Sequence, residues 1–334
     1  MAIPSSGFPI AGSATTPPIY PAGSTGNAFQ ANGFIPEIWS GKLVEKFYAS
    51  TVLSAISNTD YEGEIKNQGD RVKIRTKPTI TIRDYRADGD LTIDRPEGSN
   101  IELYIGNGKY FNLALDDVIE LQSDLNALSM WSDDAAQQLK IVVDQDVLGG
   151  ILGGMNAYNK GATAGKITGS INLGVSSTGP LTTVARSPSS GQVEILDVIL
   201  RLGQALDEQN IPEEGRWVVM PVWAISQLKF SDLRQAFLTG DSVTPLRNGR
   251  VGQVDRFTIY SSNLLPNGVA GGLAAGEFAI YAGHAHGLTF ASQINKVETI
   301  RSERSFLTLL RGLQVYGYQI VDGTALAQAI VVKG

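Results

Sequence analysis

The stretch "ALDDVIELQSDLNALSMWSDDAAQQLKIVVDQDVLGG", residues 114–150, decides the fold class because it predicts one very long helix. Asp116 and Asp117 stand in its first turn, and Gly149 with Gly150 ends it. At 1.5 Å per residue the helix is roughly 50 Å long, so it indicates a large, flat subunit organised along a rod. The apolar residues that recur at helical steps are Val118, Leu121, Leu125, Leu128, Ala135, Leu139, Val142 and Val147.

A charged segment precedes this helix: "GDRVKIRTKPTITIRDYRADGDLTIDRPEG", residues 69–98. Val72 and Ile74 alternate with cations, and Ile80 and Ile82 keep the same face after Pro78. A two-stranded ribbon is marginal alone, which favours pairing with another copy of the chain. The alternative is a solvated ribbon with ion pairs worth about 0–1 kcal/mol each. The residues assigned to an intersubunit contact are Arg71, Lys73, Arg75, Lys77, Asp84, Asp88 and Asp90.

The second half of the chain predicts alternating helices and strands. A helix is expected over about 192–210, then a short buried strand at 217–220, and another helix from Pro221. The Gly-, Ser- and Thr-rich residues 155–190 predict a surface insertion with short strands at most. In "NGRVGQVDRFTIYSSNLLP", residues 248–266, Gly249 and Gly252 either cradle a phosphate or turn the chain into a strand.

No catalytic motif in this sequence is complete. Each of the three Gly-Lys pairs lacks the Ser or Thr of a phosphate-binding loop. His284 and His286 are spaced to share one strand face, but two ligands make an incomplete metal site. The sequence therefore predicts no catalytic residue, no cofactor and no metal.

Composition narrows the function classes further. The chain has 334 residues, a formal charge of −6 and no cysteine, which excludes disulfides and thiolate metal sites. Its first basic residue is Lys42, so no basic signal peptide is predicted, and no apolar run is long enough for a membrane span. Residues 1–33 carry no charge and predict either an arm laid across another surface or a floppy terminus. From Pro36 an amphipathic helix is expected, with the stripe Ile35, Trp39, Leu43 and Phe47.

Four stretches in a fixed order resemble the major capsid proteins of tailed bacteriophages, whose architecture is called the Johnson fold. They are "FIPEIWSGKLVEKFYAST", "GDRVKIRTKPTITIRDY", "NGRVGQVDRFTIYSSNLLP" and "RSFLTLLRGLQVYGYQIVDGTALAQAIV". The resemblance implies an α+β fold with an N-terminal arm, an extended β-ribbon loop, a peripheral domain with a long spine helix, and an axial domain. It also makes Gly249 and Gly252 a structural turn.

The resemblance implies the following domains. They are an N-terminal arm (1–35), an N-terminal helix region (36–59), an extended loop (60–100), a peripheral domain (101–191) with spine helix 114–150 and insertion 155–190, an axial domain (192–289), a return to the peripheral sheet (290–312), and a C-terminal segment of the axial domain (313–334).

The implied function is self-assembly into an icosahedral head shell that encloses double-stranded DNA. The alternatives are the shell of an encapsulin-type bacterial nanocompartment and, more remotely, a soluble enzyme or nucleic-acid-binding module. The expected partners are other copies in pentamers and hexamers, a separate scaffolding protein, portal and decoration proteins, and DNA held without sequence specificity. No membrane partner is expected. The chain is expected in the virion, after assembly in the bacterial cytoplasm without proteolytic maturation.

Overall fold

The computed structural model describes residues 48–49, 51–60, 71–78, 80–84, 93–98, 100–117, 127–231, 252–268, 272–303 and 305–334. The helices of this part are α1 (Leu53–Ile56), α2 (Ala127–Gly150), α3 (Ile195–Glu208) and α4 (Val222–Phe230). The strands are β1 (Arg71–Arg75), β2 (Asn100–Tyr104), β3 (Asn107–Asp116), β4 (Leu181–Val184), β5 (Gln192–Glu194), β6 (Arg216–Met220), β7 (Gln253–Val254), β8 (Phe257–Ser261), β9 (Glu277–His284), β10 (Leu288–Arg301), β11 (Leu307–Ile320) and β12 (Leu326–Lys333). The arm, the stripe from Ile35 to Phe47, and Asp88, Asp90 and Gly249 lie outside the described residues.

A seven-stranded sheet, in the order β5-β4-β12-β9-β6-β8-β7, forms the larger core. All five residues of β6 are buried because both faces of the sheet are covered. Helices α3 and α4 pack on one face, against Val218 and Met220. The C-terminal half of α2 and the short α1 pack on the other, against Trp217 and Val219. The predicted helix near 192–210, the strand at 217–220 and the helix after Pro221 are therefore confirmed.

A second, three-stranded sheet is antiparallel and has the strand order β10-β11-β3. One face meets α2, where the hydroxyl of Tyr316 donates to the carboxylate of Asp146. The base of the β1–β2 ribbon lies on the opposite face, close to Gly317. A Cβ on Gly317 would stand 2.4 Å from the carbonyl oxygen of Tyr104, so only glycine permits this approach.

The predicted start of the long helix was wrong. Residues 114–116 belong to β3, in which Leu115 pairs with Thr308 and Asp116 pairs with Leu307. The physical reason is tertiary pairing: β11 supplies a partner for a segment whose own sequence fits a helix equally well. The helix is described from Ala127 and ends at Gly150, as expected; residues 118–126 lie outside the described part.

The segment 155–190 is not a surface insertion. Its strand β4 lies between β5 and β12 in the seven-stranded sheet. Ala164, Ile171, Leu173 and Leu181 are buried in the core against α3. A short strand was expected here, but the burial of the segment was not. Its composition is rich in Gly, Ser and Thr, and only a few apolar side chains anchor it in the core.

The boundary expected between residues 312 and 313 is also wrong. Strand β11 runs without interruption from Leu307 to Ile320 because it pairs with β10 from Thr308 to Ile320 and with β3 from Leu307 to Tyr316. The chain returns to the seven-stranded sheet only with β12.

Glu277 holds the segment 155–190 to the sheet, and its loss should be measurable. Its buried carboxylate accepts hydrogen bonds from Ser176 Oγ (2.6 Å), Ser177 N (2.8 Å) and Ala274 N (3.0 Å). We expect Glu277→Ala to destabilise the subunit by about 1–3 kcal/mol, measured by urea unfolding, because these donors lose their acceptor. Glu194→Ala is the control, since Glu194 accepts one exposed bond; equal losses would contradict the prediction.

The same carboxylate predicts a response to acid. Burial alone would raise the pKa of Glu277, but the bonds from Ser176, Ser177 and Ala274 outweigh it, so the pKa lies below the ordinary value. The native state then binds this proton less tightly than the unfolded chain. This contribution to stability is present at neutral pH and is lost as pH falls through the native pKa.

Candidate assembly surface

The cationic face of the ribbon is built by β1. This strand pairs with β2 in antiparallel register, with Lys73 opposite Glu102 and Ile74 opposite Ile101. Ile74 is buried with Leu103, while Arg71, Lys73 and Arg75 are exposed. The predicted alternation of cations and apolar residues is confirmed for these residues, and it leaves the charges pointing away from the chain's own core.

The charges on this face are unbalanced. Arg71 and Lys73 both approach the carboxylate of Glu102, each at 3.6 Å, and the guanidinium of Arg71 lies 5.3 Å from the ring centroid of Tyr104. Such exposed pairs contribute about 0–1 kcal/mol each. Residues 71–78 and 100–104 contain four cations and one carboxylate, because Arg75 and exposed Lys77 follow. The ribbon base therefore presents a net positive face to solvent.

Beyond Pro78 the prediction of a continuing apolar face was wrong. Residues 80–84 form no strand, and the side chains of Ile80 and Ile82 are exposed at 68% and 88%. Proline lacks an N–H for a strand ladder, and β1 has already ended at Arg75. Arg83 pairs with Asp94 at 3.0 Å, which joins the two arms of the loop, and Asp84 is exposed beside it.

An apolar groove of about 680 Å³ lies between α2 and β3. We call it the α2–β3 groove; its apolar lining includes Tyr110, Phe111, Leu113, Trp131, Ala135, Leu139 and Val142. Asp134 lies in the same wall and accepts a hydrogen bond of 2.7 Å from the hydroxyl of Tyr48. Among the described strands, β3 pairs only with β11, so its edge along the groove has no described strand partner.

Of the predicted glycine turn only Gly252 lies among the described residues, and the turn that the structure describes lies further along the chain, between β7 and β8. Gly252 has open space at its Cβ position and no positive φ, so the backbone does not require glycine there. The turn between β7 and β8 is made by Asp255 and Arg256, with φ of 50° and 55°. Asp255 is of a residue type that tolerates this conformation, whereas Arg256 is not, and Arg256 is held there by ion pairs to Asp207 and Glu213, each at 2.8 Å. A strand follows the turn directly, so no helix N-terminus is available for a phosphate.

The two histidines do not share a strand face. His284 ends β9, and His286 lies in the 3-10 turn Ala285–Gly287. The backbone N–H of His286 donates to Nδ1 of His284 at 3.1 Å. Burial lowers the pKa of His284, as do the charges of His286 and Arg216. Within the ranges that the structure covers, no three His, Asp or Glu side chains are grouped as metal ligands.

None of the described helices combines the length and the apolar composition that crossing a bilayer requires.

Solved structures show which class of protein has this fold. A chain from Mycobacterium phage Che8 is 26% identical, with a TM-score of 0.69 over 90% of this chain and 97% of that one. The capsid structure of cyanophage P-SCSP1u is 14% identical, with a TM-score of 0.65 over 90% and 94%. The mature capsid of bacteriophage PhiM1 is 13% identical, with a TM-score of 0.61 over 88% and 91%. The fold is that of phage capsid subunits.

The family match is more direct. A model of the family described as phage capsid protein matches residues 107–330, more than half of the chain. The chain belongs to this family, and it is a capsid shell protein. The resemblance to tailed-phage major capsid proteins and the expected α+β fold are thereby confirmed. No curated protein matched the chain.

Proposed function

We propose that many copies of this chain assemble into the closed icosahedral head shell of a tailed phage, in pentamers and hexamers around double-stranded DNA. The observation that carries the proposal is that the subunit holds its charged ribbon and two exposed isoleucines, Ile80 and Ile82, away from its own core. Exposed apolar side chains next to unbalanced charge are typical of a surface that a partner covers.

Negative-stain electron microscopy of the purified protein tests this proposal. Closed hollow shells are expected under assembly-permitting conditions that include the scaffolding protein, and a persistent monomer or dimer under those conditions would contradict the proposal. The contents of particles from infected cells separate the two kinds of shell: DNA supports a phage head, whereas a protein cargo supports an encapsulin-type nanocompartment.

The manner of DNA retention is inferred from the net charge, and the remaining partners are inferred from membership of the phage capsid family. A net charge of −6 makes the subunit a poor counter-ion for phosphate, so DNA is retained by the closed shell without sequence readout. We infer assembly in the bacterial cytoplasm with a separate scaffolding protein and a portal, and with decoration proteins on the finished virion. The role of the chain is structural, and we assign it no catalysis of its own.

The ribbon residues Arg71, Lys73, Arg75 and Lys77 are proposed to contact a neighbouring subunit, together with Asp84. Reversing all four cations to Glu should reduce the yield of shells at least tenfold while the subunit stays folded, because the exposed positive face is lost. Sedimentation measures the shells, and circular dichroism measures the fold. Normal shells from this variant would show that the ribbon's charge is irrelevant.

A charge swap separates the two roles of these cations. If Lys73 serves only the bond to Glu102 in its own chain, the double variant K73E/E102K restores a pair of opposite charges and also restores assembly. If Lys73 binds a neighbouring subunit, the double variant assembles no better than Lys73→Glu alone. We expect the second result.

A further inference from the structure

We propose that a polar cleft beside the seven-stranded sheet binds a carboxylate group that belongs to an acidic segment of a second protein. The cleft has a volume of about 560 Å³ and is lined by loop 170–172, by the starts of β4 and β5, and by α3. We call it the Arg201 cleft; its lining includes Ser170, Asn172, Leu181, Gln192, Arg201 and Gln204. The whole cleft lies within one subunit, so the proposal goes beyond the proposed function and does not rest on it.

The charge of the cleft is that of a single guanidinium. Among the described residues that line it, only Arg201 is charged. Nη1 of Arg201 donates to the backbone oxygen of Asn172 at 3.1 Å, and no carboxylate in the described part of the chain forms an ion pair with it. The edge formed by Nε and Nη2 therefore remains available. Two parallel N–H groups of this kind match the two oxygens of a carboxylate.

The carboxamides of the cleft present donors beside this edge. Oδ1 of Asn172 accepts from the backbone N–H of Gly174 at 2.9 Å, and Oε1 of Gln192 accepts from that of Ser189 at 3.0 Å. Because these oxygens are engaged within the chain, the NH₂ groups are left for a ligand. A carboxylate only accepts hydrogen bonds, so it fits a set of donors around one cation. One cation and no aromatic side chain in the described lining do not fit nucleic acid.

The size of the cleft and one further side chain favour a peptide over a free carboxylate ion. A cavity of about 560 Å³ is in the range that holds a ligand of several residues. The amide nitrogen of Gln204 donates to Glu208 at 3.2 Å, which leaves its oxygen as an acceptor. A backbone N–H next to the bound carboxylate can supply that hydrogen bond, whereas a free carboxylate ion has no donor.

The chain's own contacts hold the walls of the Arg201 cleft in place. Glu208 accepts hydrogen bonds from the backbone N–H (3.1 Å) and the hydroxyl (2.8 Å) of Thr168, which fix the loop that leads into the cleft. Gly174, two residues after Asn172, has a φ of 82°, and a Cβ there would stand 2.3 Å from the carbonyl oxygen of Ile330. A site whose walls are already ordered loses little entropy on binding.

Ligand-observed NMR with saturation transfer tests the inference on full-length, unassembled subunits. The probe is the peptide Gly-Ser-Glu-Glu-Ser-Gly, and its uncharged counterpart has Gln in place of Glu. We expect the acidic peptide to bind with a dissociation constant of about 1 mM or below and the Gln peptide to bind at least tenfold more weakly. Arg201→Ala should weaken binding of the acidic peptide at least tenfold, because the bidentate pair is lost. Lys140→Ala is the control, since it removes one exposed cation from a different helix.

Asn172→Asp provides a second variant that keeps the fold. An aspartate still accepts from Gly174 N, but it adds a negative charge to the cleft, so binding should again weaken at least tenfold. Urea unfolding checks that both variants remain folded. Equal binding by the wild type, R201A and N172D, or no binding of the acidic peptide, overturns the inference and leaves the proposed function standing, because no shell is required. Displacement of the peptide by succinate at an equal carboxylate concentration overturns the assignment to a protein segment.

Discussion

Replacing Asp207 by alanine should destabilise the folded subunit by about 3–5 kcal/mol, because it leaves a buried guanidinium without its counter-charge. The side chain of Arg216 has no exposed surface. Its Nη1 lies 2.7 Å from Oδ1 of Asp207, as an ion pair. Nε and Nη2 donate to the carbonyl oxygens of Pro212 (2.8 Å) and Ile211 (2.6 Å), which carry no formal charge.

The same carboxylate also holds the turn between β7 and β8. Its Oδ2 lies 2.8 Å from Nη2 of Arg256, a residue with a φ of 55°. Non-glycine residues adopt this backbone region at a cost of roughly 1–3 kcal/mol. The ion pair with Asp207 therefore offsets the backbone strain at Arg256 and also balances its charge. Asp207 thus joins the end of α3 to β6 and to the edge of the seven-stranded sheet.

Urea unfolding of unassembled subunits measures the loss. Glu213→Ala is the matched control, because Glu213 binds the same Arg256 but is 68% exposed, and its removal should cost about 0–1 kcal/mol. The double variant D207A/R216M should be more stable than D207A alone, since it removes the stranded charge. Equal losses for D207A and E213A would contradict this account.

The elements that could be predicted from sequence are those whose own periodicity matches their burial. Helix α3 is one case: Val198, Ile199, Leu202 and Leu206 are buried at the spacing that its sequence shows. Strand β6 shows the limit of this reasoning. Its apolar run predicted a buried strand, yet Arg216 at its start is as buried as the rest, because its partners come from α3 and the loop after it.

One part of the candidate assembly surface could be predicted from local periodicity, and another part could not. Alternation along β1 is local, so the exposed cations could be read from the sequence. The exposure of Ile80 and Ile82 could not be predicted, because their pattern matches a buried strand, whereas no element that the structure describes covers them. The α2–β3 groove joins two elements whose facing residues lie about one helix length apart in sequence, so no single stretch indicates it.

Asp144, on the long helix α2, binds the backbone at the start of α1. Its side chain is buried, and its two carboxylate oxygens accept hydrogen bonds from Val52 N (3.0 Å) and Leu53 N (3.1 Å), the first backbone donors of α1. Burial raises the pKa of Asp144, while these two bonds act in the opposite direction. A carboxylate from a distant helix therefore does the work of an N-cap that Val52 itself does not supply.

We expect Asp144→Ala to lower the free energy of unfolding by about 2–5 kcal/mol, because two buried backbone donors lose a charged acceptor. Asp144→Asn keeps one acceptor oxygen and should fall between this variant and the wild type. Hydrogen exchange should accelerate at Val52 and Leu53 but not at Asn58, which is held separately by backbone bonds to Leu288 and Phe290. Asp133→Ala, at an exposed position of the same helix, is the control and should change stability by no more than about 0.5 kcal/mol. If D144A is no less stable than D133A, the segment before the ribbon is held by its apolar contacts alone, through Leu53 and Ile56.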